Sequence, residues 1–206
     1  MKRSGFWFIV TVLMTLSLPA WGGDGSSMSP GKYKDWERFI DELEIIQPFK
    51  LSAYSQVIIF PLETSSTPLP EKDDNTFEPT TKTLSKISQI FIEGITKGVQ
   101  AKIPVVLGEK EPPSEMAESG ILVVRGRVTE MNPGSRAARF WVGFGAGRSR
   151  VEIQGIVLDA KTQKELLRFK HARVSALGVF GGDYENFLTG DARNVGEDIG
   201  KLLLKF

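Results

Sequence analysis

Gly120-Ile121-Leu122-Val123-Val124-Arg125-Gly126-Arg127-Val128-Thr129-Glu130-Met131 is a β-branched and aliphatic run, and Asn132-Pro133-Gly134 follows it directly. The run predicts a strand that begins inside a core, and the tripeptide after it predicts a turn. From Pro133 to Arg150 glycines alternate along what otherwise reads as a second strand. At a two-residue period Arg139, Trp141, Gly143, Gly145 and Gly147 share one face, and Phe140, Val142, Phe144 and Ala146 share the other. That segment continues into the β-branched Val151 to Leu158. Asp159-Ala160-Lys161-Thr162-Gln163 then predicts a turn before a strand over Glu165 to Ser175, so the three successive strands predict an antiparallel meander.

Upstream, Gln56 to Pro61 reads as a first core strand stopped by its proline. Glu63 to Pro79 is polar and proline-punctuated, which predicts a long surface loop. Its Asp73, Asp74, Asn75 and Glu78 lack calcium-loop spacing and predict a solvated turn. Thr80 and Thr81 offer capping hydroxyls to a helix running to about Lys102, with Leu84, Ile87, Phe91 and Ile95 on one stripe. Gly94 and Gly98 within it predict close approach to the sheet. Val105 to Leu107 predicts a short strand, and a closing helix places Leu188, Ala192, Val195, Ile199 and Leu202 on one face. In the segment 32–50, Tyr33, Trp36, Phe39, Ile40 and Leu43 recur at helical spacing, which predicts a short amphipathic helix. The expected fold is α+β: a two-layer sandwich with a mainly antiparallel or mixed sheet of about four to five strands. Two amphipathic helices cover that sheet, an amino-terminal helix is added, and a single domain spans 51–206.

Met1-Lys2-Arg3, the apolar run Phe6 to Leu18 and the small-residue exit at Pro19-Ala20-Trp21-Gly22 predict a secretory signal over 1–22, followed by a disordered linker over 23–31. The apolar run is shorter than the ~20 residues of a membrane-spanning helix. With no cysteine there is no disulfide framework, thiolate chemistry or lipid-attachment site. These features predict a periplasmic or secreted protein. Removing Lys2 and Arg3 with the signal leaves 24 basic against 25 acidic residues, a balance that does not favour nucleic acid as a partner.

The stretch Asn132 to Gly147, then Arg148-Ser149-Arg150-Val151-Glu152-Ile153, then Asp159-Ala160-Lys161-Thr162 resembles an uncharacterised bacterial family, domain of unknown function 4410. The resemblance covers about Val57 to the carboxyl end. It implies an exported envelope protein, in many members a lipoprotein, and implies no activity. This chain departs from the pattern in lacking the lipid-attachment cysteine and in carrying Gln163 where a glycine often ends the turn. The order of elements is also similar to small accessory domains of bacterial envelope machinery, an analogy of topology alone.

Candidate chemistry is sparse. His171 is the only histidine, which excludes histidine metal clusters and leaves a residue expected to be structural or superficial. No serine sits in a nucleophile elbow. The glycine segment is followed by a strand rather than a helix, so it is not a nucleotide cradle, and no cofactor or metal is expected. The candidate binding residues are Arg136, Arg139, Trp141, Gly143, Phe144, Gly145, Gly147, Arg148 and Arg150. A bare glycine backbone admits a partner, Trp141 and Phe144 supply apolar area, and the arginines orient an acidic group. The alternatives are that the glycines permit a bent strand in the chain's own core, and that the arginines pair with carboxylates such as Glu152 and Asp159. The expected function is a non-enzymatic envelope accessory module binding an envelope protein or a second copy of itself. A binding module for an anionic lipid or glycan is the alternative. A hydrolase would require a concave cleft containing His171 or two close carboxylates.

Overall fold

The computed structural model describes residues 29–109, 120–134, 148–175 and 183–206. The strands are β1 (Gly31–Trp36), β2 (Ile40–Ile45), β3 (Gln56–Ile59), β4 (Val105–Leu107), β5 (Ile121–Asn132), β6 (Ser149–Asp159) and β7 (Glu165–Ser175). The helices are α1 (Phe77–Ser85), α2 (Ile87–Gly98) and α3 (Tyr184–Leu203). All seven strands form one mixed sheet in the order β1-β2-β7-β6-β5-β3-β4. β5, β6 and β7 make the expected antiparallel meander, while β3 runs parallel to both β5 and β4.

The sheet exceeds the expected four to five strands because the segment 32–50 is not a helix. It is the hairpin β1-β2, with Trp36 opposite Ile40, and β2 pairs antiparallel with β7. The sheet domain therefore begins at Gly31 and not at residue 51. Glu37 and Arg38 make the turn at φ 45° and 65°, a left-handed geometry that usually announces itself through Asn or Gly. With no such signal, the helical spacing of the aromatic residues masked a genuine two-residue alternation. Tyr33, Leu43 and Ile45 face the core while Lys32, Lys34, Glu42 and Glu44 face away.

The expected helix from Thr80 to Lys102 is two helices. It starts earlier, at Phe77, where Asp74 Oδ1 accepts from the Thr76 amide and hydroxyl at 2.7 Å each. Thr80 and Thr81 lie inside α1, not at its cap, and bond back to the carbonyls of Thr76 and Phe77. The helix breaks at Lys86. α2 and α3 cover one face of the sheet, and the predicted stripe Leu188, Ala192, Val195, Ile199 and Leu202 is completely buried, each large member stabilising the fold by about 2 kcal/mol.

Gly94 and Gly98 approach α3 and not the sheet, contrary to expectation. A Cβ on Gly94 would fall on the carbonyl oxygen of Arg193, and one on Gly98 on that of Glu197. Gly196 and Gly200 of α3 reciprocate against the carbonyl oxygens of Phe91 and Ile95. Each helix thus presents two glycines one turn apart, and the backbones interlock where any side chain would separate them.

The Asp-Ala-x-Thr turn has a physical cause. Asp159 Oδ1 accepts from the Thr162 amide at 2.7 Å and its hydroxyl at 2.8 Å, and Gln163 takes the left-handed conformation at φ 56° that glycine adopts most easily. Tyr54 donates its hydroxyl to Asp159 Oδ2. Burial and then the Asp159 carboxylate push the Tyr54 phenol up to about 12.

Candidate functional site

Of the predicted binding residues, Arg136, Arg139, Trp141, Gly143, Phe144, Gly145 and Gly147 lie outside the described residues. Arg148 is exposed. Arg150 pairs with Glu130 and Glu152 at 2.8 Å each, so the structural pairing considered for it is the arrangement found.

A concave feature lies instead on the sheet face that the helices leave open. Each of five adjacent strands contributes a triplet whose outer members point onto this face: Lys32-Tyr33-Lys34, Glu42-Leu43-Glu44, Arg168-Phe169-Lys170, Gln154-Gly155-Ile156 and Arg125-Gly126-Arg127. Strand register aligns them into two ladders. One runs Lys32, Glu44, Arg168, Ile156, Arg125, and the other Lys34, Glu42, Lys170, Gln154, Arg127. Between them lies the row Tyr33, Leu43, Phe169, Gly155, Gly126, whose side chains turn to the covered face or are missing. The result is a trough across the strands, floored by backbone and walled by charge. The hollow measures about 610 Å³ and is lined by these residues and Glu63. Four strand spacings give it a length of ~19 Å.

The glycines have a packing role. On the covered side a Cβ at Gly155 would collide with the Phe169 ring, and one at Gly126 would press on Leu62. The Phe169 ring therefore occupies the space that a side chain at Gly155 would fill.

Six cations face three carboxylates in this lining. Arg168 donates its Nε to Glu165 at 2.6 Å and lies 3.5 Å from Glu44, Lys32 lies 3.6 Å from Glu44, and Lys170 reaches out of the trough to Glu152 at 3.3 Å. Among the described residues the Arg127 side chain bonds the neutral Gln154, at 3.0 Å. Arg125 sits 5.7 Å from the centre of the Phe60 ring, a cation–π placement that leaves its charge uncompensated. Lys34 and Arg125 have no carboxylate partner among the described residues. At the trough's edge, burial raises the Glu152 carboxyl, but hydrogen bonds from Thr129, Arg150 and Lys170 outweigh it and hold the group below the ordinary range.

On the covered face a second polar group clamps the meander to α3. His171 is buried, with Nε2 2.9 Å from Asp198 and Nδ1 3.4 Å from Asp41. Asp198 also accepts from Arg173, and Asp41 accepts from the Ala172 amide at 2.8 Å. Burial pushes the Asp198 carboxyl up, yet the hydrogen bonds and charges of His171 and Arg173 win, and its net shift is downward. Beside it Asp191 accepts from Ser149 and Ser175, tying β6 and β7 to α3. His171 does not line the trough. Among the described residues no group of three or more His, Cys, Asp or Glu could hold a metal ion.

The trough residues escaped the sequence reading, although a signal existed. A polar residue, one intervening residue and another polar residue recur in four segments, at strand period, and Gln154-Gly155-Ile156 supplies a fifth with one polar member. Only the register that aligns them is invisible in the sequence.

No curated protein matches the chain. Among solved structures, the PelC dodecamer from Paraburkholderia phytofirmans is 13% identical, covering 76% of this chain and 96% of that one at a TM-score of 0.43. Lipoprotein GNA1162 from Neisseria meningitidis is 12% identical, covering 62% of this chain and 84% of its own at a TM-score of 0.32. These likenesses are too loose to carry a partner or an activity across. The family model described as "Domain of unknown function (DUF4410)" matches residues 57–179, which include the whole meander and the Asp159 turn, and the chain belongs to that family.

Proposed function

We propose that this protein is a non-enzymatic, exported envelope module that works by holding an anionic partner in the trough of its open sheet face. The observation that carries this reading is the pair of cross-strand ladders, with six cations against three carboxylates around a backbone floor. A hollow with such a cationic excess attracts anionic groups even though the whole chain is nearly neutral. Export is supported by the charged start, apolar run and small-residue exit of the amino terminus. Among the described residues no helix is long and apolar enough to cross a membrane.

Retention of the purified protein on carboxylated dextran, with plain dextran as reference, tests the proposal. Because overall charge is close to zero, retention reports a local surface. Reversing two cations together, Arg125→Glu with Arg127→Glu, is expected to move elution to markedly lower salt. Unchanged elution of that variant would overturn the assignment of the trough.

A further inference from the structure

We infer that the occupant of the trough is a linear acidic glycan carrying one carboxylate on alternate sugars, laid across the strands. This rests on the anionic reading above and names its ligand class. The first argument is shape. The floor is a continuous strip of backbone from β1 to β5, bounded on both sides by long polar side chains. A bilayer surface is flat and would meet only the tips of the walls. An amphipathic helix or a proline-rich peptide would demand apolar pockets, and Ile156 is the only apolar side chain in the two ladders; an acidic peptide is set apart by the spacing of its charges, the second argument.

The second argument is the order of charges. Along each ladder the cations stand on β1, β7 and β5, two strand spacings apart, which is ~9.6 Å. Between them stand glutamates on β2 and the neutral Gln154 and Ile156 on β6. A uniformly charged polymer would set its own carboxylates against Glu42 and Glu44. A polymer charged on every second unit places carboxylates between the paired cations, Lys32 with Lys34, Arg168 with Lys170, and Arg125 with Arg127. Its uncharged sugars then come to rest over Glu42, Glu44 and Gln154, which accept hydrogen bonds from hydroxyl groups. The acidic residues inside a basic trough thereby gain a function.

The test measures binding of fluorescently labelled oligosaccharides of alternating glucuronate and N-acetylglucosamine to the full-length exported protein. Polygalacturonate, neutral dextran, phosphatidylglycerol vesicles and poly-glutamate are the comparison ligands. The expected result is preference for the alternating polymer, affinity that rises with chain length until all three cation pairs are spanned, and then a plateau. Arg125→Ala with Arg127→Ala should weaken binding about tenfold and lower its salt dependence. Glu42→Gln with Glu44→Gln should raise the relative affinity for polygalacturonate, a readout that a structural role would not move. Tighter binding of polygalacturonate, vesicles or poly-glutamate by the unaltered protein would overturn the glycan inference while leaving the anionic reading standing. Failure to bind any of the anionic ligands would overturn both.

Discussion

The two faces of this sheet are made by the same strands and obey opposite rules. On the covered face Leu122, Val124, Ile153, Val157 and Leu167 meet α2 and α3 with no exposed surface. On the open face, one residue away along each strand, stand Arg125, Gln154, Ile156, Arg168 and Lys170. The covered face is fixed by volume, with backbones interlocked through four glycines. The open face is fixed over the trough by charge and register, with Lys32, Arg168 and Lys170 paired to glutamates, and beyond it by a small apolar cluster of Ile58, Phe60, Ile121, Val123 and Leu158. Stability should therefore reside on one side and binding on the other, and substitutions can test how far that separation holds.

The largest effect is expected at the helix crossing. Gly98→Val puts a branched side chain where the Glu197 carbonyl already sits, and backbone cannot step aside as a flexible side chain can. Loss of more than ~3 kcal/mol, or failure to fold cooperatively, is the expected result in chemical denaturation. A cooperative transition with an unchanged midpoint would mean that α2 and α3 are not packed through their glycines.

Next comes the clamp of α3 to the meander. Asp198→Ala removes the acceptor shared by buried His171 and by Arg173, and the expected cost is about 2–4 kcal/mol. The trough's register depends on β7 staying seated, so this variant tests whether the covered face also supports the open one. Ligand binding at a temperature where it remains folded should fall less than its stability does.

The same carboxylate sets a pH dependence. The Asp198 carboxyl is held down in the folded protein, as is that of Glu152. A group whose folded value is depressed contributes stability that is complete above its unfolded value, near pH 4, and is lost as pH falls through the lower folded value. Thermal midpoints should be insensitive to these two groups between pH 7 and about pH 5 and should drop below about pH 4. In Asp198→Ala that acid drop should be shallower. An equal drop in both proteins would assign the acid sensitivity to other carboxylates.

The contrast between faces also explains what could be read from the sequence alone. The meander, the short strands at Gln56 and Val105 and the stripe of α3 were legible because burial leaves a periodic apolar record. The hairpin over 32–50 was not, since Glu37 and Arg38 turn the chain without a glycine or asparagine. The glycines of α2 were visible, but their partner on α3 is a tertiary fact. The trough was hardest: Lys32 and Arg125 are far apart in the chain and meet in one ladder only after four strand pairings. The glycine segment around Trp141, the most conspicuous feature of the sequence, lies outside the described residues, as does the contact surface expected there.

The smallest expected effect is the sharpest test of the separation. Arg125 and Arg127 neighbour each other on the open side of β5, one placed over Phe60 and the other bonded to Gln154. Neither forms an ion pair with a carboxylate among the described residues, so removing both guanidinium groups breaks no salt bridge there. The guanidinium of Arg125 lies over the Phe60 ring, and loss of that contact together with the Arg127–Gln154 hydrogen bond is the main cost. Together these terms predict a change of no more than ~0.5–1 kcal/mol for Arg125→Ala with Arg127→Ala. Relief of repulsion between neighbouring cations acts in the opposite direction and brings the sum closer to zero. A variant that unfolds at nearly the unaltered midpoint while losing affinity for acidic ligands would show charge kept on the open face for binding at almost no structural cost. If stability fell by several kcal/mol instead, the arginines would have to be read as part of the sheet's own packing, and the division between the two faces would fail.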